Sequence, residues 1–509
     1  MFVGEFILIH QYKNNGYNIV MDVNSGSIHV VDELVYDMIG ILSKEDRYKN
    51  VCHIAGEDDI KAASYDEISS IFREDLKGYE ENGIREAYEE ISELIESGML
   101  FSEDTYKDFV IDFKERKTFV KALCLHISHD CNLACKYCFA KEGEYNQNKR
   151  ELMSYETGKR ALDYLIENSG SRRNLEVDFF GGEPLMNFGV IKRLVEYGRS
   201  IEEKYDKKFR FTLTTNGVLL NDEILDFANK EMSNLVLSID GRKEIHDRMR
   251  PFRGGRGSYD AIVDKFKKAA KSRNQMNYYV RGTFTRYNLD FPKDVIHLAD
   301  LGFEQISIEP VVAPKEADYS IREEDVPCIL EQYDILAKEL LKRRKEGKPV
   351  NFFHFMIDLE GGPCVIKRLS GCGSGTEYMS VTPSGELYPC HQFVGNDDFK
   401  LGDVWNGVKN TDIRDEFKLC NVYAKDKCRD CFAKFYCSGG CAANAYNFSG
   451  DINGAYETGC QLQRKRTEVA IMMKAAMADQ DQPGHALDDV PDESKTAKNT
   501  KYFEPVLNS

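Results

Sequence analysis

The chain has 509 residues and a mass of 58.3 kDa, which at roughly 150 residues per domain sets an expectation of about three domains. Hydrophobic residues make up 42% and charged residues 30%, with 85 Asp and Glu against 68 Lys and Arg and a formal net charge of −17. These values exclude a disordered chain and argue against nucleic acid or an anionic lipid surface as the main partner; no apolar run approaches the roughly 20 residues needed to span a bilayer.

Met1–Asn15 carries no basic start followed by an apolar stretch, so no signal peptide is expected. Glu5–Gln11 is strand-like, Asn15-Gly16 is a hairpin signal, and Tyr17–Val23 and Ser27–Val31 follow as strands. A helix is predicted from Asp32, a second after the Ser64/Glu67 capping box, and a third over Ile84–Ser97 with Gly98 as its cap. Residues 1–101 thus read as a winged-helix-like module, and 102–117, mixed and charged, as a linker. From 118 to 350 strands alternate with amphipathic helices, which predicts βα units on a parallel sheet. The strands are Phe119–Ile127, Leu175–Phe180, Phe209–Thr214, Asn234–Ile239, Asn277–Thr285 and Gln305–Glu309. Six units make a partial (β/α)6 barrel, with chemistry expected at the C-terminal strand ends. Residues 351–470 are Cys- and Gly-rich, a composition that usually needs metal to hold it together. Residues 471–509 read as a disordered acidic tail.

Fifteen cysteines without a secretion signal point to metal or catalysis in a reducing, cytoplasmic compartment rather than to disulfides. Cys131, Cys135 and Cys138 stand in HISHDCNLACKYCFA directly after the first barrel strand. Three thiolates on one short loop can hold three irons of a [4Fe–4S] cube and leave the fourth open. Half of a zinc site is the competing reading, with His126 or His129 as a further ligand. Cys52, Cys124 and Cys328 fit no array and read as small buried hydrophobes.

CxxxCxxC in this position resembles the radical S-adenosylmethionine (SAM) superfamily, and further motifs extend the resemblance. FFGGEP, with Gly181, Gly182, Glu183 and Pro184, stands where that family binds the SAM amino group. TTNG, with Thr214 and Asn216, and SIDG, with Ser238 and Asp240, end the next two strands. Ser238 matches a ribose contact, Arg250 of HDRMRP a SAM-carboxylate contact, and Tyr137 an aromatic beside the nucleoside. Farther on, Cys372, Cys390, Cys428, Cys431, Cys437, Cys441 and Cys460 are similar to the seven-cysteine SPASM pattern. That resemblance implies two auxiliary [4Fe–4S] clusters, hence three in all. Cys372, Cys390 and Cys441 with Cys364 would hold the first, and Cys428, Cys431, Cys437 and Cys460 the second. Cys364 stands outside the seven-cysteine motif, and Cys420 is close enough in sequence to compete with it. His391 occupies the position of an Asp general base in sulfatase-maturing enzymes. It is a candidate catalytic base or a donor to a cluster sulfide.

Ahead of such a core, the first module resembles a RiPP recognition element, which binds a precursor's leader by adding it as a strand. YNIVMDVNSGSIHVVDELVYD and GPCVIKRLSGCGSGTEYMSVTPSGELYPCHQFVG are similar to maturases of six-cysteine (SCIFF) peptides. The resemblance implies a thioether-forming peptide maturase. Its partners would be a leader-bearing precursor and a small redox protein such as flavodoxin or ferredoxin, with no nucleic acid and no membrane. Carbon–carbon crosslinking, epimerisation and a non-catalytic zinc-stabilised peptide binder are the alternatives.

Overall fold

The N-terminal strands form an antiparallel meander of β1 (Ile9–Asn14), β2 (Tyr17–Asp22) and β3 (Ile28–Val31). The computed structural model describes residues 7–480 and 501–503, apart from 45–46, 48, 50, 55–59, 108–112, 146–148 and 360–363. Asn15 and Gly16 both take positive φ, +50° and +86°, as a primed hairpin turn requires. Part of the strand expected over Glu5–Gln11 lies outside the described residues. Helix α1 (Glu33–Ser43) starts where Asp32 accepts a hydrogen bond from the Val35 amide at 2.9 Å. A hairpin of β4 (Cys52–Ile54) and β5 (Ile60–Ala62) then precedes α2 (Tyr65–Phe72) and α3 (Glu81–Glu96). The sequence reading placed three helices directly after three strands. The hairpin escaped it because three-residue strands carry no alternation to read. Met38, Ile39, Phe72, Tyr88 and Ile91 form this module's own core.

The second layer is a parallel sheet with helical crossovers. Its strands are β6 (Ala122–Ser128), β7 (Asn174–Gly181), β8 (Lys208–Thr215), β9 (Met232–Ser238), β10 (Tyr278–Phe284), β11 (Gln305–Pro310) and the short β12 (Asn351–Phe352). They lie in sequence order across the sheet. The connecting helices are α4 (Tyr155–Asn168), α5 (Phe188–Tyr205), α6 (Asp222–Glu231), α7 (Lys243–Met249), α8 (Tyr259–Ser272), α9 (Pro292–Asp300) and α10 (Val326–Lys345). Every residue of β6 is buried, as befits a parallel strand covered on both faces.

The Cys-rich region continues this sheet. After α11 (Val365–Ser370), β13 (Tyr378–Val381) pairs parallel with β6, Tyr378 opposite Ala122 and Val381 opposite Leu125. Then β14 (Glu386–Tyr388), β15 (Gly402–Asp403) and β16 (Gly407–Val408) add antiparallel. Helices α12 (Thr411–Leu419), α13 (Asp426–Arg429), α14 (Lys434–Cys437), α15 (Ala442–Ser449) and α16 (Glu457–Gln480) complete it, and β17 (Lys501–Phe503) pairs with β3.

Three expectations change. Residues 471–480, expected in the tail, belong to α16, where Ile471, Met472, Met473 and Ala476 are buried. The charged linker is fastened down: Asp104, almost fully buried, pairs with Lys434 at 2.8 Å and accepts from the Tyr423 hydroxyl. Cys328, expected in the core, is exposed on α10, whereas Cys124 is buried as expected. Among the described residues, no helix is long and apolar enough to cross a membrane.

Candidate active site

The loop after β6 carries Cys131, Cys135 and Cys138, and backbone bonds tie it across the strand ends. Ala134 and Lys136 amides donate to the Pro251 and Met249 carbonyls, each at 2.9 Å. Asn216, after β8, donates to Asn132 at 2.7 Å and lies 3.6 Å from the Cys131 sulfur. The three thiols face one another. Burial pushes Cys131 and Cys135 up to about 12, and the neighbouring thiols add to it by like-charge repulsion. Such a set stays protonated until a cation displaces its protons, which is the behaviour of a metal-cluster site.

Gly181 and Gly182 were expected to let the backbone approach a ligand. What they approach is the cysteine loop. A Cβ on Gly181, whose φ is +122°, would stand 2.3 Å from the Ser128 carbonyl oxygen, and one on Gly182 2.2 Å from that of Asp130. The Gly182 and Glu183 amides donate to those same two oxygens at 2.7 and 2.8 Å. Glu183 is buried and already engaged: it accepts from Thr215 Oγ1 at 2.7 Å, the Asn216 amide at 2.8 Å and the Leu185 amide at 3.1 Å. Burial pushes its carboxyl up to about 7. The motif therefore braces the ends of β6, β7 and β8 against each other. Thr215, part of that brace, was not singled out from the sequence.

Asp240, fully buried, accepts from the Tyr137 hydroxyl at 2.6 Å, from Arg250 Nε at 2.9 Å and from the Thr283 amide at 3.0 Å. Tyr137 and Arg250 line the cavity in front of it. The neighbouring arginines go elsewhere: Arg248 lies over Tyr287, and Arg253 pairs with Asp130. The cavity holds about 320 Å³ and is walled by the three cysteines, Gly181–Pro184, Thr214, Asn216 and Ser238. Arg281, Thr283, Glu309 and Asn444 also line it and went unnoticed. Arg281 and Glu309 pair at 2.8 Å across β10 and β11, at the same strand-end level, but no motif marks them.

His391 stands at this cavity's wall between Phe180 and Phe139, its Nδ1 3.3 Å from the Tyr378 hydroxyl. Burial pulls it down to about 4, so the ring is neutral near pH 7 and a weak base as it stands. Next to it, the thiols of Cys390, Cys372 and Cys441 face one another. Gln392 reaches the Cys441 sulfur at 4.0 Å. Cys364 lies exposed at the N-terminus of α11. Cys420 is beside Cys372, lines the same small cavity, and donates to the Ile452 carbonyl at 3.6 Å. Cys428, Cys431, Cys437 and Cys460 form the remaining group; burial raises Cys428, Cys437 and Cys460, and the neighbouring thiols add to it. Its cavity shares Glu309, Pro310, Val312 and Asn444 with the first. Among the described residues, no group of three His, Cys, Asp or Glu side chains is placed to hold a single metal ion.

Residues 125–308 match the model of the radical SAM superfamily. The chain is 25% identical over 336 residues to the cysteine-type anaerobic sulfatase-maturating enzyme of Clostridium novyi (strain NT), covering 62% of this chain and 86% of that one. It is 24% identical over 362 residues to the serine-type enzyme of Bacteroides thetaiotaomicron, covering 63% and 82%. Among solved structures it is similar to anSMEcpe with bound AdoMet, with a TM-score of 0.60 and 21% identity over 70% of this chain and 96% of that one. The strand-end thiol triad and the cavity beside it lie within the span that matches the radical SAM superfamily. Along more of its length the chain is similar to the anaerobic sulfatase-maturating enzymes. A [4Fe–4S] cluster and SAM are the cofactors of the radical SAM superfamily, and three mutually facing thiols with Tyr137 and Arg250 across the cavity fit them.

Proposed function

We propose that the protein is a leader-dependent maturase that joins a cysteine sulfur to a carbon of a ribosomally made, Cys-rich peptide. The supporting observation is a position: Cys390 directly precedes His391, which lines the cavity of Cys131, Cys135 and Cys138, so the first auxiliary thiol set stands behind that cavity's wall. A peptide substrate is supported by anSMEcpe, which is known with bound AdoMet and the Cp18Cys peptide. When bound, the cluster and SAM supply a 5′-deoxyadenosyl radical that takes a hydrogen atom from carbon. The chain's own residues do the rest. Tyr137, Arg250 and Ser238 hold the cofactor's polar ends, while the Gly181–Glu183 brace fixes the loop that carries the triad. Forming the thioether also removes the thiol proton and one electron. The neutral His391 ring, on the cavity wall and 3.3 Å from the Tyr378 hydroxyl, is the candidate acceptor for that proton. Cys372, Cys390 and Cys441 would hold an auxiliary cluster as the electron's destination. Cys428, Cys431, Cys437 and Cys460 would hold the second, within reach of a small redox protein in the cytoplasm. The first module, residues 1–101, takes the leader on its sheet edge.

The test is co-expression with small Cys-rich peptides encoded nearby, followed by mass spectrometry. A loss of one hydrogen pair per link, with matching loss of alkylatable thiol, is expected. Hydrogen loss with every thiol still alkylatable points to carbon–carbon crosslinking, and unchanged mass with altered stereochemistry to epimerisation. We further expect an auxiliary-cluster EPR signal to shift when a Cys-containing peptide is added, because a three-thiolate cube leaves a site for the substrate's sulfur. A spectrum unmoved by that peptide, with four protein thiolates on each cube, would leave those clusters only electron relay.

A further inference from the structure

The N-terminal sheet has one edge at β1 and would have the other at β3. That second edge is occupied: Lys501–Phe503 pairs antiparallel along it, Lys501 opposite Val30, Tyr502 opposite His29 and Phe503 opposite Ile28. The occupant comes from the far end of the same chain. An edge strand presents a row of unpaired amides and carbonyls that any extended peptide can satisfy. This is the chemistry that the leader reading assigns to the module, and the inference rests on that reading.

The route to this edge is short. Helix α16 is docked on the module: Tyr12 donates to the Glu468 carbonyl at 2.9 Å and His10 meets the Glu468 carboxylate at 2.9 Å. Near its end, Asp479 faces the Tyr17 hydroxyl at the start of β2. Residues 481–500 join Gln480 to Lys501, a tether of 20 residues. Twenty residues can span at most about 70 Å, so Lys501 lies within the chain's reach of Gln480. The strand it delivers is weak by construction. It is three residues long, and Pro505, two positions beyond it, has no N–H to extend a ladder. Each main-chain bond contributes only about 1 kcal/mol net. A longer strand displaces it.

We propose that residues 501–503 are a built-in occupant of the leader edge, so that tail pairing and precursor binding exclude each other. A precursor of sufficient strand length opens the edge, and short extended peptides are turned away.

The experiment compares the full chain, the chain ended after Gln480, and the full chain carrying Phe503→Pro, which removes the N–H opposite Ile28 without shortening anything. Fluorescence anisotropy is read with a labelled synthetic peptide of residues 495–509, and separately with the labelled precursor. The shortened chain and Phe503→Pro should bind both probes about threefold or more tightly than the full chain, and unlabelled precursor should displace the tail peptide. Equal precursor affinity for all three forms overturns the exclusion while leaving the leader reading intact. Precursor that binds none of them, with the tail peptide still binding the shortened chain, overturns both the exclusion and the leader reading. Absence of tail-peptide binding to the shortened chain overturns the self-pairing itself.

Discussion

Asp240 stands behind Tyr137 and Arg250, the two side chains proposed to meet the polar ends of the cofactor. Its carboxylate serves Tyr137, Arg250 and the Thr283 amide at once, and none of it is exposed. Asp240→Asn keeps one oxygen for Arg250 and Thr283 but turns the other acceptor into an NH2 that cannot receive the Tyr137 hydroxyl. The guanidinium, with only 13% of its side chain exposed, also loses its counter-charge. Breaking a buried pair by removing one partner costs about 3–5 kcal/mol, and the surviving hydrogen bonds place this case at the low end, about 3. Part of that appears as a lower melting temperature. The rest appears in SAM binding, because Tyr137 is left with an unsatisfied buried hydroxyl at a cost of about 1–3 kcal/mol. At 1.36 kcal/mol per tenfold, SAM affinity should fall by about five- to 150-fold. Equilibrium dialysis on reconstituted enzyme checks this, with iron content as the control that the triad's cluster is intact. Arg248→Ala, whose guanidinium lies over Tyr287, should leave SAM affinity near that of the parent. SAM binding within about twofold of the parent in Asp240→Asn, at an unchanged melting temperature, would refute the role assigned to this carboxylate.

Replacing Cys131, Cys135 and Cys138 together by Ala should abolish 5′-deoxyadenosine formation and remove about a third of the iron, since three of the eleven candidate ligands would go while two other thiol sets remain; iron analysis and chromatography read both, and persistent 5′-deoxyadenosine would end the assignment. Deleting residues 1–101 should weaken precursor binding and spare peptide-free SAM cleavage, although exposing the α16 face that holds Tyr12 will lower stability; normal apparent affinity for precursor in that variant would rule out leader capture by the module. Acid should destabilise the chain through its buried histidines. Burial lowers His129 and His246 from 6.5 to about 4, so the unfolded chain binds the extra protons. Their stabilisation is complete above pH 6.5 and lost as pH falls toward 4, by up to about 3 kcal/mol each. Urea midpoints of His246→Gln, measured from pH 7.5 down to 5, should decline less steeply than the parent's, and parallel curves would contradict this.

The parts of the protein legible in its sequence are those whose signal is local. Strand β6 and the helices α5 and α8 follow from periodicity, and the capping box before α2 from two side chains: the Ser64 amide donates to Glu67 at 2.8 Å. Motifs fixed the level of the cavity, because each ends a strand. They did not reveal what the motif residues touch. Gly182 and Glu183 read as ligand contacts, yet their amides serve the cysteine loop, and the carboxylate is spent on Thr215 and Asn216. Those partners are about 30 to 50 residues away in the chain, and no pattern in one strand reports on its neighbour. Arg281 and Glu309 were invisible for the same reason. The end of α16 was misplaced because its last turns, MMKAAMADQ, combine a buried apolar face with polar residues, and composition averages the two.

The pairing of β13 with β6 ties these observations to one mechanical cause. The cysteine-rich region is no knuckle hung on a linker: its first strand extends the sheet that carries the triad. Val381 opposite Leu125 puts β13 in register with β6, and β14 returns antiparallel so that Cys390 and His391 follow it at the sheet's mouth. A slip of one residue would turn every side chain of β13 to the other face, taking Tyr378 away from His391. Register is well specified here, since Met379 and Val381 are buried on one face while Ser380, also buried, lies on the other. Strand pairing therefore fixes the sheet ends from which the triad's loop and the Cys390–His391 segment depart. A substrate spanning both would meet two fixed points, which is what a reaction joining one residue's carbon to another's sulfur needs.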